Sequence, residues 1–224
     1  NVAGIDLGEP NTTVKEIILT NASNFNGMTE NIFSDFVNLR SIKLYNASNE
    51  EADFKVVPVE MQATYLDKTY TYTFYALYSN DTAAKDNFGT KLLAFIGNVE
   101  NASKELLGVK EGTDEPAAIL DFVFEIPKGV TEIYPGALMN SGLRTVYLSS
   151  TVSKVGEYAF GDKLTSLRVD RNIYITDING DAIDSKAPIM QAEASSVAST
   201  DYIQINGLKS DYKINNSTYG AFYA

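Results

Sequence analysis

Apolar residues return along this chain at two fixed sets of offsets. In GVTEIYPGALMNSGLRTVYL, residues 129–148, Val130 and Ile133 are followed by Ala137 and Leu138. In TVSKVGEYAFGDKLTSLRV, starting at Thr151, Val152 and Val155 are followed by Ala159 and Phe160, so Ile133 and Val155 stand 22 residues apart. A third copy, 23 residues further on, sets Ile175 and Ile178 before Ala182 and Ile183; a fourth, near the start, sets Phe25 and Met28 before Ile32 and Phe33. A second pattern, apolar-x-x-apolar-x-apolar, occurs as Leu39, Ile42, Leu44, as Leu143, Val146, Leu148 and as Leu164, Leu167, Val169. Val14, Ile17 and Leu19 form an earlier copy, and Phe124 and Ile126 form another with Asp121 at its weak first position. The last two apolar positions of each copy alternate with polar ones, which predicts a short strand with one buried face.

A unit of 22 to 25 residues cannot bury its apolar face alone. Stacked units can, because each strand pairs with its equivalent and the inward side chains form a continuous interior. Five such strands at about 4.8 Å spacing predict a stack on the order of 25 Å long. Alternation also predicts the outward face. Its last position reads Ile18, Lys43, Glu125, Tyr147 and Arg168, and the position before reads Glu16, Ser41, Val123, Thr145 and Ser166.

Residues 45–120 interrupt the repeat. Phe54 to Tyr65 and Lys68 to Tyr78 are β-branched and aromatic and predict the strands of a small antiparallel sheet beside or inside the stack. Asn101 to Leu107 predicts one short helix, Gly108 to Pro116 a loop, and residues 187–200 an irregular segment. Open terminal strands invite pairing with other chains. The aromatic end, residues 201–224, is the expected C-terminal cap, and residues 1–13 are a candidate for the opposite end.

The run Ile126-Pro127-Lys128-Gly129-Val130-Thr131-Glu132-Ile133, with Ala137-Leu138 behind it, resembles the BspA-like leucine-rich repeats of bacterial surface proteins, which read roughly I-P-x-G-V-T-x-I-G-x-x-A-F followed by L-x-x-V-x-L. Ala76-Leu77-Tyr78-Ser79-Asn80-Asp81 and Gly89-Thr90-Lys91-Leu92-Leu93 resemble the family's L-Y-x-x-D-G-T-x-L hairpin, with extra residues splitting the turn into a longer, mobile tip. Ile203 to Leu208, Tyr212-Lys213 and Tyr219 to Phe222 resemble its terminal cap. Leu138 and Ile183 replace the family's usual Phe, and residues 45–75 and 97–118 match nothing in it well. The fold expected is a single mainly β domain with short helices over residues 1–224. It is a right-handed leucine-rich-repeat solenoid of stacked short parallel strands with an inserted antiparallel sheet or hairpin. The resemblance implies a secreted or cell-surface protein of host-associated bacteria that adheres to host protein or glycan ligands.

Charge narrows the partners. Lys and Arg number 18 against 29 Asp and Glu, a net of −11, in 224 residues, and this argues against nucleic acid and against an anionic membrane surface. Cysteine and histidine are both absent, which removes thiolate metal sites, thiol nucleophiles and the commonest general base. No apolar run is long enough to span a membrane. The start at Asn1 rather than Met fits a trimmed export product or a fragment. Sequons stand at Asn11, Asn21, Asn46, Asn80, Asn101, Asn215 and Asn216.

The candidate chemistry is that of binding. Asp177-Ile178-Asn179-Gly180-Asp181 starts like a calcium loop, but Ala182 and Pro188 stand where Gly and Glu are needed, and Ile178 and Ile183 belong to the repeat; a tight turn is the expectation there. No phosphate-cradling glycine loop or nucleophile elbow is present, so no catalytic residue, metal or cofactor is assigned. Carboxylates are too plentiful for a glycosidase-like pair to be told from a charged surface. Two surfaces are singled out as ligand-binding. One is the outward strip with Lys43, Glu125, Tyr147 and Arg168, although each single residue of it reads more readily as part of a solvated face of paired charges worth roughly 0.2–1 kcal/mol each. The other is the tyrosine-rich insertion with Tyr70 and Tyr72, whose rings can stack on a ligand or pack on the solenoid flank. A non-enzymatic binding module is the reading adopted, beside a scaffold module of a larger surface assembly and a carboxylate-based glycan-active enzyme.

Overall fold

A computed structural model describes residues 11–19, 31–44, 54–81, 89–149, 151–170, 175–176, 202–206 and 213–214. The chain opens with a parallel pair, β1 (Glu16–Leu19) and β2 (Ser41–Leu44). Three antiparallel strands follow, β3 (Phe54–Tyr65), β4 (Lys68–Ser79) and β5 (Lys91–Ile96), and then one helix, α1 (Val99–Leu107). Strands β6 (Val123–Glu125), β7 (Glu132–Ile133), β8 (Thr145–Leu148), β9 (Lys154–Val155), β10 (Ser166–Asp170) and β11 (Ile175–Thr176) come next. β12 (Tyr202–Asn206) and β13 (Lys213–Ile214) end the order.

The 22-residue offset is one coil. β6, β8 and β10 pair in parallel, with Phe124, Val146 and Leu167 opposite one another and all buried. On a second face β7 and β9 pair in parallel, with Ile133 opposite Val155, and Leu138 bridges to Phe160. Equivalent bends carry equivalent hydrogen bonds. The Val130 N–H donates to Pro127 O at 3.2 Å and the Val152 N–H to Ser149 O at 3.1 Å. Coils approach closely at Gly156, where a Cβ would stand 2.3 Å from the Pro135 nitrogen.

The insertion is woven into this second face. β5 pairs in parallel with β7, Lys91 opposite Glu132 and Leu92 opposite Ile133, so one sheet runs β3-β4-β5-β7-β9. Both faces of its base are covered. Phe74, Ala76, Tyr78, Leu92 and Phe95 join the core under β6 and β8, while Phe54, Leu77, Leu93 and Ile96 join a second core with Leu19, Ile32, Phe33, Leu39 and Ile42. This is why β5 reads KLLAFI, an unbroken apolar run rather than an alternating one.

Two expectations are corrected here. The interior is not single, because the inserted sheet divides it into two cores. The five front strands also do not form one ladder. β1 pairs with β2, and β6, β8 and β10 lie in a separate sheet, so Lys43 and Glu125 are not neighbours on one strip. The physical reason is the same in both cases: β3 to β5 carry enough apolar surface to bury on two sides, and they occupy the space between the coils.

Helix α1 begins earlier than its sequence pattern indicates, because the Asn98 side chain accepts from the Asn101 N–H at 3.1 Å and caps it; Gly108, at φ 80°, ends it. β12 runs antiparallel to β10 and ends the front sheet with the order β12-β10-β8-β6. The expectations for residues 1–10, Phe25, Met28, the hairpin tip between Asp81 and Gly89, Asp177 to Ile183, residues 187–200 and Tyr219 to Phe222 lie outside the described residues.

Candidate functional site

Parallel pairing with no slip fixes what the front sheet presents. Glu125 lies opposite Tyr147, and Tyr147 opposite Arg168, one rung apart on β6, β8 and β10. Rungs stand about 4.8 Å apart. The sheet beneath is anchored by the fully buried Phe124, Val146, Leu148 and Leu167, so the three outward side chains share a rigid base. Glu125 is exposed, and Tyr147 and Arg168 are half-buried.

The adjacent outward row differs from expectation. Thr145 and Ser166 are only 6% exposed, although alternation points them away from the core. Short side chains flanked on both sides of a ladder are shaded by their neighbours, so alternation alone overstates their exposure. The candidate face is therefore the single row of Glu125, Tyr147 and Arg168.

Lys43 sits elsewhere, on the β1–β2 pair. Its ammonium lies 2.5 Å from the Glu16 carboxylate, which also accepts from the Ser41 hydroxyl at 2.8 Å. The Lys43 hydrogen bond, helped by Ser41, holds the Glu16 carboxyl below its ordinary value, and Glu16 raises the Lys43 ammonium in return. This is the cross-strand charge pairing of a solvated face. A matching ladder occurs on the second face, where Lys91, Glu132 and Lys154 alternate in register and Lys154 lies 2.5 Å from Glu132.

Tyr70 and Tyr72 project from β4 toward the larger core and are half-buried against it. The Tyr70 ring carries the Lys68 ammonium 4.7 Å from its centroid. Tyr72 heads a chain of aromatic contacts, 4.9 Å to Phe74, then 5.3 Å to Phe95 and 4.9 Å to Phe124. Its hydroxyl donates to Glu105 Oε2 at 3.0 Å, and Glu105 also pairs with Arg40. Burial raises the Tyr72 phenol above its ordinary value, partly offset by the Arg40 charge. Three elements far apart in sequence are tied at this point.

One opening escaped the sequence reading. A groove of about 260 Å³ lies where the chain enters β8 and β10, lined by Arg144, Asp162 and Lys163 together with Asn98, the cap of helix α1, and Glu100 of that helix. No spacing signal could have found it, since its walls meet only through the packing of α1 on the coils. Glu100 and Asp162 are two carboxylates in one groove, and each contacts a lysine, Lys104 at 3.1 Å and Lys163 at 2.9 Å. Among the described residues no cluster of Asp and Glu is arranged to hold a metal ion, and no helix is long and apolar enough to cross a membrane.

Comparison with known proteins gives one family. The family model described as BspA type leucine rich repeat region matches residues 122–215, in six copies. No curated protein and no solved structure matches the chain.

Proposed function

Since residues 122–215 make this chain a leucine-rich-repeat protein of the BspA type, we propose that it is a non-enzymatic binding module, secreted or held at a cell surface, that presents a rigid repeat face to host protein or glycan ligands. Proteins of this repeat type are typically non-enzymatic and often surface-exposed, which supports the reading. The observation that carries it is the row of Glu125, Tyr147 and Arg168, set side by side by the register of β6, β8 and β10 over a dry core. Such a row is preorganised, so a ligand finds two anchor side chains and a carboxylate with little conformational entropy left to lose. Tyrosine and arginine are the residue types most often found to dominate binding energy.

The test is a glycan and matrix-protein array probed with the wild-type chain, Tyr147→Ala and Arg168→Ala. Tenfold or greater loss of binding in both variants is expected, with the melting temperature moved by no more than a few degrees. Binding that both substitutions leave intact would remove the row from consideration.

The scaffold reading has its own observation. The turn joining β3 and β4 carries Leu66, 81% exposed at the tip. A concentration-dependent dimer in sedimentation, dissolved by Leu66→Ser, would favour a structural module over a ligand-binding one.

A further inference from the structure

We propose that the groove beside Arg144 is a second binding site, for one carboxylate-bearing sugar residue such as a uronic acid or a sialic acid at a glycan terminus. It is distinct from the Glu125–Tyr147–Arg168 row and does not depend on it.

The inference starts from the charges. Lys163 is held by Asp162 at 2.9 Å, and Glu100 by Lys104 at 3.1 Å. The first pair cancels locally; Lys104 is shared with Asp114 at 3.2 Å, so that trio keeps one net negative charge. Arg144 is exposed at the groove, and among the described residues nothing pairs with its guanidinium. A guanidinium presents parallel N–H donors that match a carboxylate in two-point contact, which a lysine ammonium cannot reproduce. In a chain of net charge −11 an arginine that no described residue pairs with, set in a concave site, is a selective feature for an anionic group rather than part of a general cationic surface.

The remaining walls suit a hydroxylated ring. A paired carboxylate keeps acceptor sites beyond the one its lysine uses, so Glu100 and Asp162 can still accept from ligand hydroxyls. Val37 and Ile119 add an apolar patch of the kind that covers the C–H face of a sugar. The amide wall is fixed in place. Asn98 donates to Asn140 O at 2.8 Å while its oxygen accepts from the Asn101 N–H at 3.1 Å, and Asn140 donates to Ser34 O. Gly142 also lines the groove, at φ +68°, a left-handed backbone conformation that favours glycine. At about 260 Å³ the groove suits one monosaccharide residue rather than an oligosaccharide or a folded partner.

The site is tested by titrating the full chain, observed by NMR, with methyl glucuronide and sialyllactose, against methyl glucoside, lactose and succinate. The variants are Arg144→Gln, Arg144→Lys and, as a control on the separate row, Arg168→Gln. Expected are shifts confined to residues around Arg144, acidic sugars bound at least tenfold more tightly than neutral ones, loss of that preference in Arg144→Gln, and incomplete rescue by Arg144→Lys. Arg168→Gln is expected to leave this binding unchanged even if the row has a ligand of its own. Equal binding of acidic and neutral sugars, succinate binding as tightly as the acidic sugars, or affinity unmoved by Arg144→Gln would each overturn the proposal. Retention of the wild-type circular dichroism spectrum separates a lost site from a lost fold.

Discussion

Ser103 shows how one side chain can carry a junction. Its hydroxyl donates to Val99 O at 2.8 Å and accepts from the Leu120 N–H at 3.0 Å, while fully buried. It thereby ties helix α1 to the segment leading into β6. In the sequence the same residue completes the sequon Asn101-Ala102-Ser103, which points to a surface. The folded chain uses both ends of the motif internally, since the Asn101 amide donates to Asn38 Oδ1 at 3.2 Å. Ser103→Ala leaves the Leu120 N–H buried without its acceptor and is expected to cost about 1–3 kcal/mol. Urea unfolding checks this: the midpoint should fall with the slope unchanged. A sequence pattern cannot reveal such a role, because the acceptor's partner is 17 residues away and reached only through packing.

Among the elements, the β3–β4 hairpin was the most legible. Twelve paired residues on each strand, Phe54 opposite Ser79 through Tyr65 opposite Lys68, follow from long β-branched and aromatic alternation. The neck where β4 passes to β5 was legible as a family-like turn, but its mechanism was not. Asp81 accepts from the Ser79 hydroxyl at 2.6 Å, from the Thr90 hydroxyl at 2.6 Å and from the Thr90 N–H at 3.1 Å, and the Ser79 hydroxyl accepts from the Lys91 N–H at 3.1 Å. Gly89 is required there, since a Cβ would fall 1.7 Å from Ser79 O. Partial burial pushes the Asp81 carboxyl up, but the bonds from Ser79 and Thr90 outweigh it and hold the value below the ordinary one. A carboxyl depressed on folding stabilises the native state above the unfolded value of about 3.9, and that contribution is lost as pH falls through the folded value. Asp81→Asn is therefore expected to be less stable than wild type at pH 7 and to lose less stability between pH 5 and the acid limit. Urea midpoints measured across that interval check it, and parallel pH curves for the two proteins would refute the neck's role.

For the whole molecule the consequence of the dividing sheet is cooperativity. Leu77 and Phe74 sit on the same strand, one in each core, and Tyr134 packs against both. Neither core can loosen without exposing a face of β4 and β5. Leu77→Ala, in the N-terminal core, is expected to cost about 2–5 kcal/mol, and Phe124→Ala, in the other, about 3–5 kcal/mol. Each should lower the same calorimetric transition, by roughly 2–4 °C per kcal/mol at this size. A variant that melts in two steps, with one step at the wild-type temperature, would show that the cores are independent.

The coil and the register of β6, β8 and β10 were determined by the sequence alone, because a strand with one buried face writes its period into the order of apolar residues; which strands share the front row was not, since Lys43 lies on a separate sheet. Phe124, Val146 and Leu167 align in space as they align on paper. The division of the core, the shading of Thr145 and Ser166, the tying of Tyr72 to Arg40 and Glu105, and the groove at Arg144 were decided only in three dimensions. Each of these depends on which surfaces meet after distant segments pack, and a pairing of that kind leaves no periodic trace along the chain.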